Sequence, residues 1–264
     1  MVKPFSPFSF FALEIAIFKG LFLKTPVMST ETFRAVFAVG AAVVGFYLYF
    51  FLSASEKVKH LFRDPGPDGG MSMSFFVFSK LTGFITMGLI PAILWFAWCR
   101  GDRASAGLDA GFTFRYWYLL AGLPLIAAGF SALTSRNPDT LKYYPEVRLK
   151  TWGPGALILS CSAWFLYLLG YEVLFRGILL LPMAAAFGPV PAVAVNIALY
   201  SAFHLPKGMG ETLGAIPLGL IMCIVALMTG SVLIPFLIHL SLALSTHLFA
   251  IRYNREMKFM FRKN

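Results

Sequence analysis

The stretch GPGALILSCSAWFLYLLGYEVLFRGILLLPMAAAFG, residues 153–188, decides how the chain is read, because its only charged residues are Glu172 and Arg176. As one straight helix rising 1.5 Å per residue it would extend roughly 54 Å, well past the ~30 Å hydrocarbon core of a bilayer. It is therefore expected to bend or break, and Gly170, Gly177 and Pro182 are the places where it can. That puts Glu172 and Arg176 near a helix end or kink. An ionisable side chain at such a depth costs several kcal/mol unless it is paired or faces water, so the pair is a candidate site.

The rest of the chain has the same character. It is 58% hydrophobic and 13% charged, with mean hydropathy +0.75, against about 45–50% and about 25% in soluble domains. Working outward, further spans are expected at residues 33–52, 74–99, 117–135, 190–204, 212–229 and 231–250. The turn-rich segment 55–70 should be a loop, and Lys80, near one end of its span, can snorkel to the interface. Pro235 should bend the last span and free a backbone carbonyl one turn earlier. Residues 5–23 are apolar but interrupted by Glu14 and Lys19, so 1–32 is either an interfacial helix or an extra span. The expected fold is an all-α, polytopic membrane bundle of seven or eight transmembrane helices, forming a single membrane domain over 1–264, with no internal repeat.

The net charge of +10 raises the question of a nucleic-acid partner, and the placement of the charges answers it. Loops 54–73, 135–152 and 205–211 and the tail 252–264 hold thirteen Lys or Arg on one face, while the opposite face holds three. The positive-inside rule accounts for that asymmetry without nucleic acid. It places the C-terminus in the cytoplasm and the chain in the cell (inner or plasma) membrane, with lipid as its constant partner. Cys99, Cys161 and Cys223 lie in or beside separate apolar runs, with no CxxC pair, and read as buried small apolar residues.

Few residues could carry chemistry. Glu172 and Arg176 are four apart, hence on one helix face, where they can form a charge-assisted pair or simply lock a kink. His204 and His239 lie on different spans, and each alone reads as a hydrogen-bonded interior histidine. Together, a carboxylate and two imidazoles can hold and deprotonate a water, directly or through a metal. His247, rotated by roughly 80° from His239, faces the same cavity or an adjacent packing surface. Asn196 reads as an interhelical hydrogen-bonder, and His60 as a solvated loop residue.

These residues resemble a known family, the CPBP (Abi) intramembrane proteases, which include the type II CAAX prenyl endopeptidases. The family's E-E-x-x-x-R followed by Gly is similar to Tyr171-Glu172-Val173-Leu174-Phe175-Arg176-Gly177. Its F-x-x-x-H resembles Tyr200-Ser201-Ala202-Phe203-His204, and its H-x-x-x-N, preceded by a Ser-to-Pro apolar stretch, resembles 231–239 with His239. The resemblance covers roughly 150–250, with all three motifs in order. Tyr171 stands where the family has its first Glu, and Ala243 where it has the Asn.

The resemblance implies an endopeptidase in which Glu172, His204 and His239 activate a water, Arg176 orients Glu172, and Tyr171 and Tyr200 support them. It implies a membrane-associated peptide substrate reaching the site from the cytoplasmic side or from within the bilayer. A single zinc ion on Glu172, His204 and His239 is left open, since three ligands with an open fourth position is a known catalytic arrangement. Two alternatives stand beside this reading. One is a catalytically inactive scaffold or immunity protein, favoured by Tyr171 and Ala243. The other is a small transporter, since buried charges also line transport paths.

Overall fold

Ser29 starts the first helix: its side-chain oxygen accepts from the backbone N–H of Thr32, and α1 then runs Thr30–Ala54. The computed structural model describes residues 28–62 and 70–260, so the apolar stretch 5–23 and most of the turn-rich run 64–70 lie outside it. A short α2 (Glu56–Leu61) occupies the first part of the segment expected to be a loop, and exposed His60 sits on it. α3 (Met73–Ala97) follows, then α4 (Trp117–Thr134), α5 (Pro138–Tyr143), α6 (Pro154–Phe187), α7 (Pro189–Ala202), α8 (Met209–Thr229) and α9 (Leu233–Tyr253). Among the described residues, α1, α3, α4, α6, α8 and α9 are long and apolar enough to cross a membrane, α4 with the 3₁₀ turn before it. α7 is a shorter apolar helix. The chain is thus an all-α polytopic membrane bundle, and its described residues hold six span-length helices and one shorter apolar helix, roughly compatible with the expected seven or eight.

Small residues let these helices approach closely. Ala35, Ala38, Ala42 and Gly45 form the buried stripe of α1, and a side chain at Gly45 would collide with the carbonyl of Thr86 on α3. α3 and α6 meet at two glycines, where a Cβ on Gly88 would run into the Cα of Gly170. Without a hydrophobic drive between helices in lipid, such backbone-to-backbone contact supplies much of the packing.

α6 does not break as expected. It runs as one 34-residue helix, with Pro154 in its first turn and Gly188, at φ +85°, closing it. The relief comes from a π-helical segment over Val173–Leu180, immediately after Glu172. There the backbone bonds i to i+5 and widens the helix without interrupting it, a feature often found at functional sites. Pro182 sits where the helix returns to α geometry, and Gly177 is pressed against the carbonyl of Ala106. A second π-helical segment, Phe84–Leu89, lies in α3 beside Gly170. Pro235 also departs from expectation: α9 begins at Leu233, so the proline falls in the first turn, where its missing N–H costs nothing, and it does not bend the helix.

One face of the bundle is tied together by short pairings. β1 (Thr151–Trp152) runs parallel to β2 (Lys258–Phe259), and Met71 bridges to Val147. Loops 70–72, 144–152 and 254–260 therefore share that face.

Lys80 belongs near it but does not snorkel. Its side chain is 2% exposed, 2.9 Å from Glu146 Oε2, with its ammonium 3.7 Å from the centre of the Trp164 ring. Sequence position near a helix end suggested an interfacial lysine. The ion pair with a residue sixty-six positions away holds it inside instead.

Candidate active site

Glu172 immediately precedes the π-helical turn of α6 and Arg176 lies on it, both fully buried. Arg176 Nε lies 3.2 Å from Glu172 Oε2, an ion pair by distance but off-axis for a hydrogen bond, so Oε2 keeps an open acceptor. Arg176 Nη1 bonds Asn196 Oδ1 on α7 and contacts Cys223 Sγ on α8 at 3.4 Å, while Asn196 Nδ2 donates to the carbonyl of Phe175 at 2.6 Å. The guanidinium thus locks three helices to the site. Asn196 is the interhelical hydrogen-bonder expected of it, and Cys223 is buried as expected.

His239 reaches the same carboxylate from α9, with Nδ1 2.6 Å from Glu172 Oε1. An ionised carboxylate only accepts, so Nδ1 carries the proton and Nε2 is left as the basic nitrogen. His204, at the end of α7, is oriented the same way by a different partner. Its Nδ1 lies 2.7 Å from the carbonyl of Tyr200, which again assigns the proton to Nδ1 and the lone pair to Nε2. It is part-exposed, whereas His239 is 9% exposed.

Two tyrosines stand between the imidazoles. The Tyr171 ring stacks on Phe175 at 4.5 Å and meets His239 and His204 edge-on at 5.7 and 6.3 Å. Tyr200 lies 4.7 Å from the His204 ring, 6.1 Å from His239 and 4.6 Å from the Arg176 guanidinium. Glu172, Arg176, Tyr171, Tyr200, His204 and His239 therefore gather in one place. The contacts that sequence reasoning missed are the Arg176–Asn196–Cys223 bonds, for which two polar residues on separate apolar helices were the only signal.

His247 does not join them. It is buried in a separate apolar cluster, 3.1 Å from Ser160 Oγ through Nε2 and edge-on to Trp152 at 5.2 Å. Eight residues, roughly two turns, further along α9 than His239, it faces Ser160 near the start of α6, which makes it an interior histidine.

Among the described residues no three His, Cys, Asp or Glu side chains come together as a metal site. Both imidazoles spend Nδ1 on a partner, His239 on Glu172 and His204 on the carbonyl of Tyr200, and their Nε2 atoms do not converge with Glu172 as one ligand set. The donor set as arranged does not fit a three-ligand zinc site, and the chemistry derived below uses the side chains alone.

No curated protein and no solved structure matches the chain. A family model described as Type II CAAX prenyl endopeptidase Rce1-like does match, over residues 151–245, from the strand before α6 through His239 and into the second half of α9. Those residues contain every side chain of the cluster just described, so this stretch of the integral membrane protein is similar to Rce1-like domains, consistent with a relation to the CPBP family.

Proposed function

We propose that the chain is an intramembrane endopeptidase in which the Glu172–His239 pair activates the attacking water. The observation that carries this is the 2.6 Å bond between Glu172 Oε1 and His239 Nδ1, held inside the bundle by Arg176. In this reading a water donates to His239 Nε2, with His204 Nε2 as a second acceptor that orients it. As the water oxygen attacks the scissile carbonyl, its proton passes to His239 Nε2. Glu172, across the ring, stabilises the imidazolium that forms. The same proton then goes to the leaving amine. Arg176 fixes the second carboxylate oxygen, so that Glu172 does not swing away from the imidazole.

The substrate follows from the matched family's description and from the site's rim. His204, the part-exposed member, leads directly into loop 205–211 on the face richest in Lys and Arg, which the charge rule makes cytoplasmic. A prenylated peptide anchored in that leaflet would reach the site from there.

The test uses purified protein in detergent and one fluorescence-quenched CAAX peptide, farnesylated and unmodified. Wild type should cleave the farnesylated form. His239→Asn, whose amide can still donate to Glu172 but which lacks Nε2, should lose on the order of 10²–10⁴ in kcat. Glu172→Gln should lose at least as much. Full activity in His239→Asn would remove the histidine from the mechanism.

One observation favours a second reading, a protease-like scaffold without catalysis. Tyr171, where the family has a carboxylate, fills the space between the two imidazoles with an aromatic ring that is 3% exposed. Peptide binding without cleavage by wild type would decide for it.

A further inference from the structure

Among the described residues, five buried polar atoms in the cluster have no hydrogen-bond partner: Tyr171 Oη, Tyr200 Oη, Arg176 Nε, Arg176 Nη2 and Glu172 Oε2. Four are donors or can donate, and one is an acceptor. Leaving such groups unpaired is costly, and native folds seldom tolerate several side by side. Neither hydroxyl is spent on the open carboxylate oxygen that shares the cluster. A fold that buries donors together without pairing them has a place for an acceptor it does not itself supply.

The motif comparison makes this specific to the chain. Where the related family has Glu and Phe, this sequence has Tyr171 and Tyr200, and each replacement brings a buried phenol into the cluster. Where the family has an Asn that would hold an oxyanion, this sequence has Ala243. An amide donor is lost on α9, and two hydroxyl donors are gained on α6 and α7, beside the same imidazoles.

We infer that the hydroxyls of Tyr171 and Tyr200 form the oxyanion hole of this site, taking the part that Asn takes in the related family. The inference rests on the endopeptidase reading above and adds two catalytic residues to it. When the water oxygen bonds to the scissile carbon, the carbonyl π pair moves onto oxygen. The two phenols then donate to that oxygen without losing their protons. When the C–N bond breaks, the pair returns to re-form the carbonyl, and the amine leaves with the proton held on His239. Arg176, 4.6 Å from the Tyr200 ring, adds positive charge behind the donors.

Replacing either tyrosine by phenylalanine removes only the hydroxyl and keeps the ring packing. Cleavage of the farnesylated quenched peptide is measured for wild type, Tyr171→Phe, Tyr200→Phe, the double variant and Glu172→Gln, together with the thermal midpoint of each in detergent. Each Phe variant should lose on the order of 10² in kcat, with KM and midpoint unchanged or the midpoint raised. Phe variants that turn over at the wild-type rate overturn the oxyanion assignment and leave the endopeptidase reading intact. A kcat that falls only in step with a lowered midpoint overturns it in favour of packing. Wild type as inert as Glu172→Gln overturns both readings.

Discussion

The bundle buries charge in two places, and they are built differently. Near the cation-rich face, Lys80 and Lys207 flank Glu146 at 2.9 and 3.7 Å, Trp164 lies against both ammoniums, and Lys207 also bonds the hydroxyl of Tyr144 at 2.9 Å. Further along the bundle, Glu172 is equally close to Arg176 and to His239, yet two hydroxyls and two guanidinium nitrogens around them are left without a hydrogen bond. Buried polar groups are expensive, so a finished network marks structure, and an unfinished one marks a place reserved for something that comes and goes. α6 borders both, through Trp164 at the first and Glu172 and Arg176 at the second, which makes the contrast a matter of side chains rather than of region.

The sharpest way to break that contrast is to cross the two places. Lys80→Met should lower stability by about 3–5 kcal/mol, because it leaves Glu146 with one weaker partner, while cleavage per folded molecule stays at the wild-type value. His239→Asn should do the reverse, and thermal melts beside kcat in detergent read both. If Lys80→Met abolished turnover in folded protein, the lower network would belong to the site.

Acid gives a smaller and graded effect. Burial alone would push the Glu146 carboxyl up, but the ammoniums of Lys80 and Lys207 outweigh it and hold the group below the usual carboxylate range. A carboxylate held down in the fold contributes stability above its unfolded value, near 4.3, and loses it as pH falls through its depressed folded value. Lys207 has the opposite sign. Burial would lower it, yet Tyr144, Glu211 and Glu146 together raise it, so its share is lost only in strong alkali, above the ordinary lysine range. The thermal midpoint should therefore be flat across neutral pH and fall below about pH 4. Glu146→Gln should start lower and show a shallower acid limb.

The smallest effect is expected at Ser160, whose hydroxyl pairs with His247 Nε2 and with the carbonyl of Leu157. Ser160→Ala should cost about 1–3 kcal/mol by stranding a buried imidazole nitrogen, and leave kcat unchanged. A change in kcat there would draw His247 back into the catalytic account.

Much of the site could be read from the chain because helical spacing is local. Glu172 and Arg176 at i and i+4, and the three motifs in order on separate apolar runs, needed no tertiary knowledge. Lys80 was misplaced because its partner Glu146 sits in a loop beyond another span, and no periodicity connects them. The π-helical turn was equally invisible. Gly170, Gly177 and Pro182 marked strain correctly, but whether a helix relieves strain by breaking or by widening depends on what packs beside it, here the Phe84–Leu89 turn of α3 and the backbone of Ala106. His239 and His247 share α9, and only the neighbours of each decided which one faces the carboxylate.

The parallel pairing of Thr151–Trp152 with Lys258–Phe259 sets an order of events during synthesis. The threshold of the helix bearing Glu172 can be fastened only once a strand beyond the final span has left the ribosome. Until then a nascent chain can hold its acid and both imidazoles in lipid while their supporting helix is still free to shift at its root.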